Sequence, residues 1–253
     1  MKLVCIGSGN VATHMAQAFR SAGHEILQVW SRDMDHANVL AQKIGAVAIA
    51  DLEAVDVYAD LYLISVKDDA ISDIAAKLKD VKGLVVHTSG STDISVLNAC
   101  SRYGVLYPLQ TFSIAKALDF SQVPLCVEAV NTFELKCLKD LARELSTNVY
   151  ESNSEQRRSL HLAAVFASNF SNHLYHLSNL ILNEQGLDFD MLKPLIMETA
   201  AKVQQEIPLS VQTGPAVRQD EQTIQRHMAM LQSKPQLSEI YKILSDSIKK
   251  THS

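Results

Sequence analysis

Short apolar runs alternate with amphipathic stretches through the first part of the chain, and long helical patterns follow with no strand signal among them. The apolar runs at 3–6, 25–30, 61–66, 84–87, 103–107 and 125–129 read as strands, with a last short one at 148–151. Helical spacing over 11–22, 70–78 and 134–145 lies between them, and no element is assigned to 31–60. Strands that alternate with helices predict a parallel sheet wound with helices on its faces. After about residue 153 the pattern predicts helices over 159–183, 189–205, 221–232 and 236–249. The expected fold class is α/β: a doubly wound sheet over 1–152, then an all-helical domain over 153–253.

The stretch 159–183 contains no Asp, Glu, Lys or Arg. A membrane span of that length is excluded by His161, Asn169, Asn172, His173, His176 and Asn179, which are costly in lipid. An uncharged helix in water is instead expected to be buried, inside a domain or between subunits. A homodimer through the C-terminal helices is the expected assembly.

The first strand runs into Gly7-Ser8-Gly9-Asn10-Val11-Ala12, and a helix opens there. Gly7 permits a tight turn, Gly9 lets the backbone approach a pyrophosphate, and Ala12 lets the helix pack closely on the sheet. Free N–H groups at the helix start, Asn10 and Val11 among them, then face the phosphates. This is the Rossmann fingerprint in its proper setting. The second strand ends in Val29-Trp30-Ser31-Arg32, without the acid that would hold the ribose hydroxyls of NAD. Arg32 can pair with a 2′-phosphate and Ser31 can add a hydroxyl, so NADP is preferred over NAD, and both over a methyl donor; the alternative for Arg32 is a solvated side chain. Val66 and Lys67 follow a later strand and are expected beside the adenosine half, while Asp69 either joins them or caps the next helix. His87-Thr88-Ser89-Gly90-Ser91 follows another strand, and Thr88 and Ser89 offer hydroxyls where the nicotinamide would lie; Ser91 or Thr92 is alternatively a helix cap.

Composition narrows the picture further. The chain has 253 residues, is 47% hydrophobic and 20% charged, and carries a formal charge of −5. That is ordinary globular composition, long enough for two domains and unlike a nucleic-acid binder. Four scattered cysteines form no CxxC pair and no metal pattern, and Cys5 and Cys126 lie in apolar runs as packing residues. A cytoplasmic protein without a metal, a signal peptide or a membrane anchor is expected.

Six stretches carry a family resemblance: Gly7–Ala12, SVKDDAI at 65–71, HTSG at 87–90, PLQTF at 108–112, HLAAVFASN at 161–169 and TGPAVRQD at 213–220. The chain resembles the superfamily of pyrroline-5-carboxylate reductase, ketopantoate reductase and 6-phosphogluconate dehydrogenase. More closely it looks like Rossmann-like proteins whose C-terminal half is a domain of unknown function. The resemblance implies NADP binding, an oxidoreductase architecture and a C-terminal domain like that of 6-phosphogluconate dehydrogenase. It supplies no substrate. Where ketopantoate reductase and the hydroxyacid dehydrogenases place a lysine one turn before an asparagine, this chain has Val165 before Asn169. Reduction of an imine, which needs no such lysine, is the better analogy.

On a helical wheel His161, Ser168, Asn172, Tyr175 and Asn179 share a face, with Asn169 and His176 on its shoulder. The stripe reads either as an enclosed polar cleft or as a buried hydrogen-bond network at an interface. His161 is the first choice for an acid/base or orienting group, against a purely structural histidine, with Asn169 beside it. Arg218, after Gly214-Pro215, can hold a substrate carboxylate or phosphate, or belong to a local cap with Asp220. The expected function is an NADP-dependent oxidoreductase acting on a small polar metabolite such as an imine or keto acid. A non-catalytic NADP-binding regulator or scaffold is the alternative.

Overall fold

The computed structural model describes residues 1–116 and 118–252. Its strands are β1 (Lys2–Ile6), β2 (Glu25–Trp30), β3 (Val47–Ile49), β4 (Leu61–Ile64), β5 (Leu84–His87), β6 (Tyr103–Pro108), β7 (Leu125–Ala129) and β8 (Val149–Glu151). The helices are α1 (Asn10–Ser21), α2 (Met34–Ile44), α3 (Ile71–Lys77), α4 (Thr132–Leu145), α5 (Ser154–Ala164), α6 (Ser171–Asn183), α7 (Lys193–Gln205), α8 (Glu221–Met230) and α9 (Pro235–Thr251). Among the described residues the strands form one sheet in the order β3-β2-β1-β4-β5-β6-β7-β8, parallel except where β6 meets β7.

Continuous apolar runs form the central strands because both sheet faces are covered. Alternate residues divide between two cores. Leu3, Cys5, Leu61, Leu63, Leu84 and Val86 pack with α1, α2 and α4, whereas Val4, Ile6, Tyr62, Ile64 and Val85 pack with α3 and the loops beside it. The register matters most for function. Ile6 pairs with both Trp30 and Ile64, and Ile64 pairs with His87, so β1, β2, β4 and β5 end on one line. The loops that begin at Gly7, Ser31, Ser65 and Thr88 therefore leave the same sheet edge, where doubly wound sheets bind ligands.

A helix, a strand and a short 3-10 turn, Leu52–Ala54, lie in the span left unassigned from sequence. Asp33 caps α2 by accepting from the Asp35 and His36 amides, Ala37, Leu40, Ala41 and Ile44 form its buried face, and Gly45 ends it at φ 72°. The strand that follows, β3, is three residues long and has no buried position.

The backbone divides into two compact units, Met1–Asn169 and Phe170–Ser253. Residues 153–169, grouped with the helical half on sequence pattern, thus fall in the first unit. The uncharged stretch is also not one regular helix: α5 passes into a π-helical stretch, Val165–Phe170, before α6. Each π turn holds an extra residue, so positions past 165 leave the 3.6-residue wheel and the single polar stripe drawn from it does not hold. Nor is the stretch buried within the chain: no residue of α6 is buried, and Leu174 and Leu180 are 38% and 41% exposed. In the second unit, α8 and α9 are joined by a His227–Tyr241 hydrogen bond of 2.8 Å and a Lys249–Glu221 ion pair. Among the described residues, no helix is long and apolar enough to cross a membrane.

Candidate active site

Gly7 turns the chain out of β1 at φ 124°, and its amide donates to the Trp30 carbonyl at 2.8 Å. A Cβ at this position would stand 2.2 Å from the Ser65 carbonyl oxygen, so any side chain would push apart the loops after β1 and β4. Gly9 is the N-cap of α1, with no side-chain cap and no acid in the first turn. A Cβ there would meet no protein atom within 4 Å, which leaves the helix start open to a ligand. Ala12 is buried in the core with α1, as the fingerprint requires.

At the end of β2, Ser31 accepts hydrogen bonds from the Ser8 hydroxyl at 3.1 Å and the Asp33 amide at 3.3 Å. Arg32 is exposed. The nearby acid, Asp33, caps the start of α2 and is not among the residues that line the cleft formed by these loops. Asp69 makes no capping bond, since neither the short turn Asp68–Ala70 nor α3 has a side-chain cap. The caps considered for Ser91 or Thr92 are also absent: Asp93 caps the turn Ile94–Leu97, and Ser89 accepts from the Ser91 and Thr92 amides.

One cleft of about 930 Å³ brings most of the predicted site together. Gly7, Gly9, Asn10 and Val11 line it from the phosphate loop, and Ser31 and Arg32 from β2. Val66 and Lys67, then Thr88 and Ser89, line it from the loops after β4 and β5, and His161 closes it from α5. Arg32, Lys67 and Lys77 supply positive charge to its wall, beside Asp68 and Asp73. A glycine cradle, an uncapped helix start and exposed cations form a donor set that fits a phosphorylated dinucleotide.

Tyr107 joins His161 at the cleft, a role not predicted from sequence. The Tyr107 hydroxyl lies 3.1 Å from His161 Nδ1, donating when that nitrogen is bare and accepting when it carries a proton. Both rings rest on Gly90: a Cβ there would stand 2.7 Å from His161 Nδ1 and 2.8 Å from Tyr107 Cζ. Burial pushes the Tyr107 phenol up to about 12, so it keeps its proton at neutral pH. The loop beneath is held by the Thr88 hydroxyl donating to Ser65 Oγ at 3.1 Å and by the Ser89 amide donating to His87 Nδ1 at 3.2 Å. Burial, then the positive charge of Arg157, lowers His87 to about 4, leaving a neutral ring. Arg157 itself is fully buried, pairs with Glu128, and donates to the Thr92 carbonyl and to Ser154 Oγ. It stands four residues before His161 on α5, so the same ion pair that ties α5 to β7 also seats His161.

A second cavity, of about 410 Å³, adjoins the cleft. Tyr107, Gln110 and His161 line both. Its remaining wall comes from Leu109 and Thr111 after β6, from Leu160, Ala163 and Ala164 of α5, and from Val165, Ala167, Ser168 and Asn169 of the π-helical stretch. Asn169 thus faces this second space and does not line the cofactor cleft. Arg218 lines neither; it is an exposed residue of the second unit, just before Asp220, which caps α8 through the Thr223 amide and hydroxyl.

Two family models match the chain: "NADP oxidoreductase coenzyme F420-dependent" over residues 2–90 and "Domain of unknown function (DUF2520)" over residues 123–248. A crystal structure of a Bacteroides fragilis protein, provisionally described as an NADP oxidoreductase, is 44% identical over 98% of both chains, with a TM-score of 0.93. The chain belongs to this family of NADP oxidoreductases. NADP is the cofactor of the family. The fold is shared more widely. An imine reductase from Myxococcus stipitatus in complex with NADP+ is 15% identical over 99% of this chain and 92% of its own, with a TM-score of 0.69. A pyrroline-5-carboxylate reductase from Coxiella burnetii is 16% identical over 99% and 96%, with a TM-score of 0.60. No curated protein matches this NADP oxidoreductase.

Proposed function

We propose that this NADP oxidoreductase reduces a C=N or C=O bond of a small metabolite, with Tyr107 and His161 delivering the proton. The observation that carries the reading is their hydrogen-bonded pair, seated on Gly90 in the wall of the cleft that also holds the phosphate loop. Gly7, Gly9, Asn10 and Val11 hold the pyrophosphate, Ser31 and Arg32 the 2′-phosphate, Val66 and Lys67 the adenosine half, and Thr88 and Ser89 the nicotinamide end. When bound, the reduced cofactor supplies hydride and leaves as NADP+. The chain itself supplies the matching proton at the nitrogen or oxygen of the reduced bond. Tyr107 holds that proton because its buried phenol resists ionisation, and His161 replaces it from solvent. Asn169 orients the remainder of the substrate from the second cavity.

The apolar faces of α6 and α7 support a homodimer built from the second unit, and the free buried thiols of Cys5, Cys100 and Cys126 suit a reducing cytoplasm. A screen of imines and carbonyl compounds with NADPH oxidation as readout tests the activity. With a substrate in hand, Tyr107→Phe and His161→Ala should each lower kcat by roughly 10²-fold or more while NADPH affinity stays within a factor of about two. Unchanged turnover in both variants would move the proton source elsewhere. Tight NADPH binding with no turnover on any compound would mark a non-catalytic NADP-binding regulator instead.

A further inference from the structure

The end of β6 brings a second polar side chain, after Tyr107, to the boundary between the two cavities. Tyr107 and Pro108 close the strand, and the Gln110 amide donates back to the Pro108 carbonyl at 3.1 Å, which fixes a tight turn there. Gln110 then lines both the cofactor cleft and the second cavity, as Tyr107 and His161 do. Thr88 and Ser89, expected beside the nicotinamide, line the cleft and not the second cavity. A substrate next to the cofactor would therefore meet all three boundary residues.

The partner of Gln110 fixes which way its side chain faces. Its Oε1 accepts from the Thr111 backbone amide at 2.8 Å and from the Thr111 hydroxyl at 3.3 Å. A backbone N–H only donates, so the atom facing it is the oxygen and the amide is not flipped. The NH2 group is turned away from Thr111, and the side chain is exposed. Thr111 holds the amide in place, so a ligand bonded to the NH2 group costs little further rotamer freedom. Tyr107 and His161 change roles as a proton moves between them, whereas the Gln110 NH2 group only donates and transfers nothing. Its chemistry is recognition.

We infer that Gln110 is a specificity-determining residue whose NH2 group donates to an oxygen of the substrate close to the reduced C=N or C=O bond. The protein then prefers imines and carbonyl compounds that carry such an oxygen, as α-imino and α-keto acids do. The inference rests on the reductase reading above.

Gln110→Glu isolates the donor. It keeps an oxygen for the Thr111 amide and replaces the NH2 group by a second acceptor, so a side chain needed only by its own loop would tolerate the change. The full chain saturated with NADP+ is titrated by NMR with oxamate and with propanamide, non-reducible compounds that attach a carboxylate or an ethyl group to the same carboxamide. Oxamate should bind about tenfold or more tighter. Gln110→Leu should remove most of that difference, and Gln110→Glu should weaken oxamate further still. Equal binding of the two compounds by the wild type, binding of neither, or unchanged oxamate binding in Gln110→Glu would overturn the inference. Weaker NADP+ binding in Gln110→Glu with oxamate unaffected would overturn it too, and would assign the donor to the nicotinamide. Turnover separates the inference from the reading beneath it. NADPH is supplied with pyruvate or 2-butanone, and with 1-pyrroline-2-carboxylate or 2-methyl-1-pyrroline. The carboxylated member of a pair should have the higher kcat/KM, and Gln110→Leu should lower it far more than that of its partner. Consumption of the uncarboxylated members alone contradicts the inference but leaves the reductase reading intact, whereas consumption of no imine or carbonyl compound removes that reading and the inference with it.

Discussion

The two units of the chain use apolar residues in opposite ways. In the first unit Leu3, Val4, Cys5 and Ile6 have no exposed surface, and helices cover both faces of the sheet. In the second, neither α6 nor α7 contains a buried residue, and Leu195 and Met197 are 62% and 69% exposed. The first unit is a closed core with a ligand cleft at its strand ends. The second offers an apolar surface of the kind that marks an interface between chains. Apolar residues therefore have different consequences: in the first unit they are packed away and frame the cleft, and in the second many of them stay exposed.

The strongest way to break the first half of this comparison is Gly7→Val. At φ 124° and 2.2 Å from the Ser65 carbonyl, the new side chain has no room, and the loops after β1 and β4 must separate. We expect loss of cooperative folding or of all NADPH binding, read by thermal denaturation and calorimetry. A stable variant with wild-type affinity would mean that the loop is not held as described. The second unit should respond differently. Leu195→Glu with Met197→Glu should leave a folded protein but halve its mass in light scattering, because the charges would oppose dimer formation. An unchanged mass would show that α7 is not at the interface.

A smaller effect sharpens the account of the closed core. His87 is lowered to about 4 from an ordinary 6.5. Above pH 6.5 the ring is neutral in both folded and unfolded chains. Between 6.5 and 4 the unfolded chain takes up a proton that the folded one does not, so stability should fall by about 3 kcal/mol across that window and no further below it. Urea denaturation at several pH values should show this slope in the wild type and a reduced one in His87→Gln. Equal slopes would mean that His87 is not the group responsible. The smallest expected effect lies at the exposed end of the cleft. Arg32→Ala should cost NADPH roughly 10-fold to 100-fold in affinity and leave NADH nearly unaffected. Equal affinity of the wild type for both cofactors would remove Arg32 from the 2′-phosphate.

The comparison also explains what could be read from the sequence. Local rules sufficed for the phosphate loop, the tip of β2 and the central strands, because each depends on neighbouring residues: a glycine at a turn, an acid missing from a strand end, an apolar run. The signals of α2 were present as well, in the Asp33 cap, the apolar spacing of Ala37, Leu40, Ala41 and Ile44, and Gly45 beyond them. Tyr107 and Arg157 could not be found that way. Tyr107 is an apolar-run residue until β6 is placed beside α5, and Arg157 pairs with Glu128 from β7, a strand distant in the chain. The helical wheel failed past Val165 because no local residue type signals a π turn. The uncharged stretch reads as buried, inside a domain or between subunits, and within the single chain α6 has no buried residue.

The central claim is hydride reduction beside Tyr107, His161 and Gly90, and isotope transfer tests it most directly. NADPH carrying deuterium at the transferable C4 position is incubated with the protein and an imine substrate, and the amine is analysed by mass spectrometry. The account predicts one deuterium on the former imine carbon, with its rate of appearance sharply reduced in Tyr107→Phe and His161→Ala. Tight NADPH binding with no labelled product from any imine or carbonyl compound would contradict it.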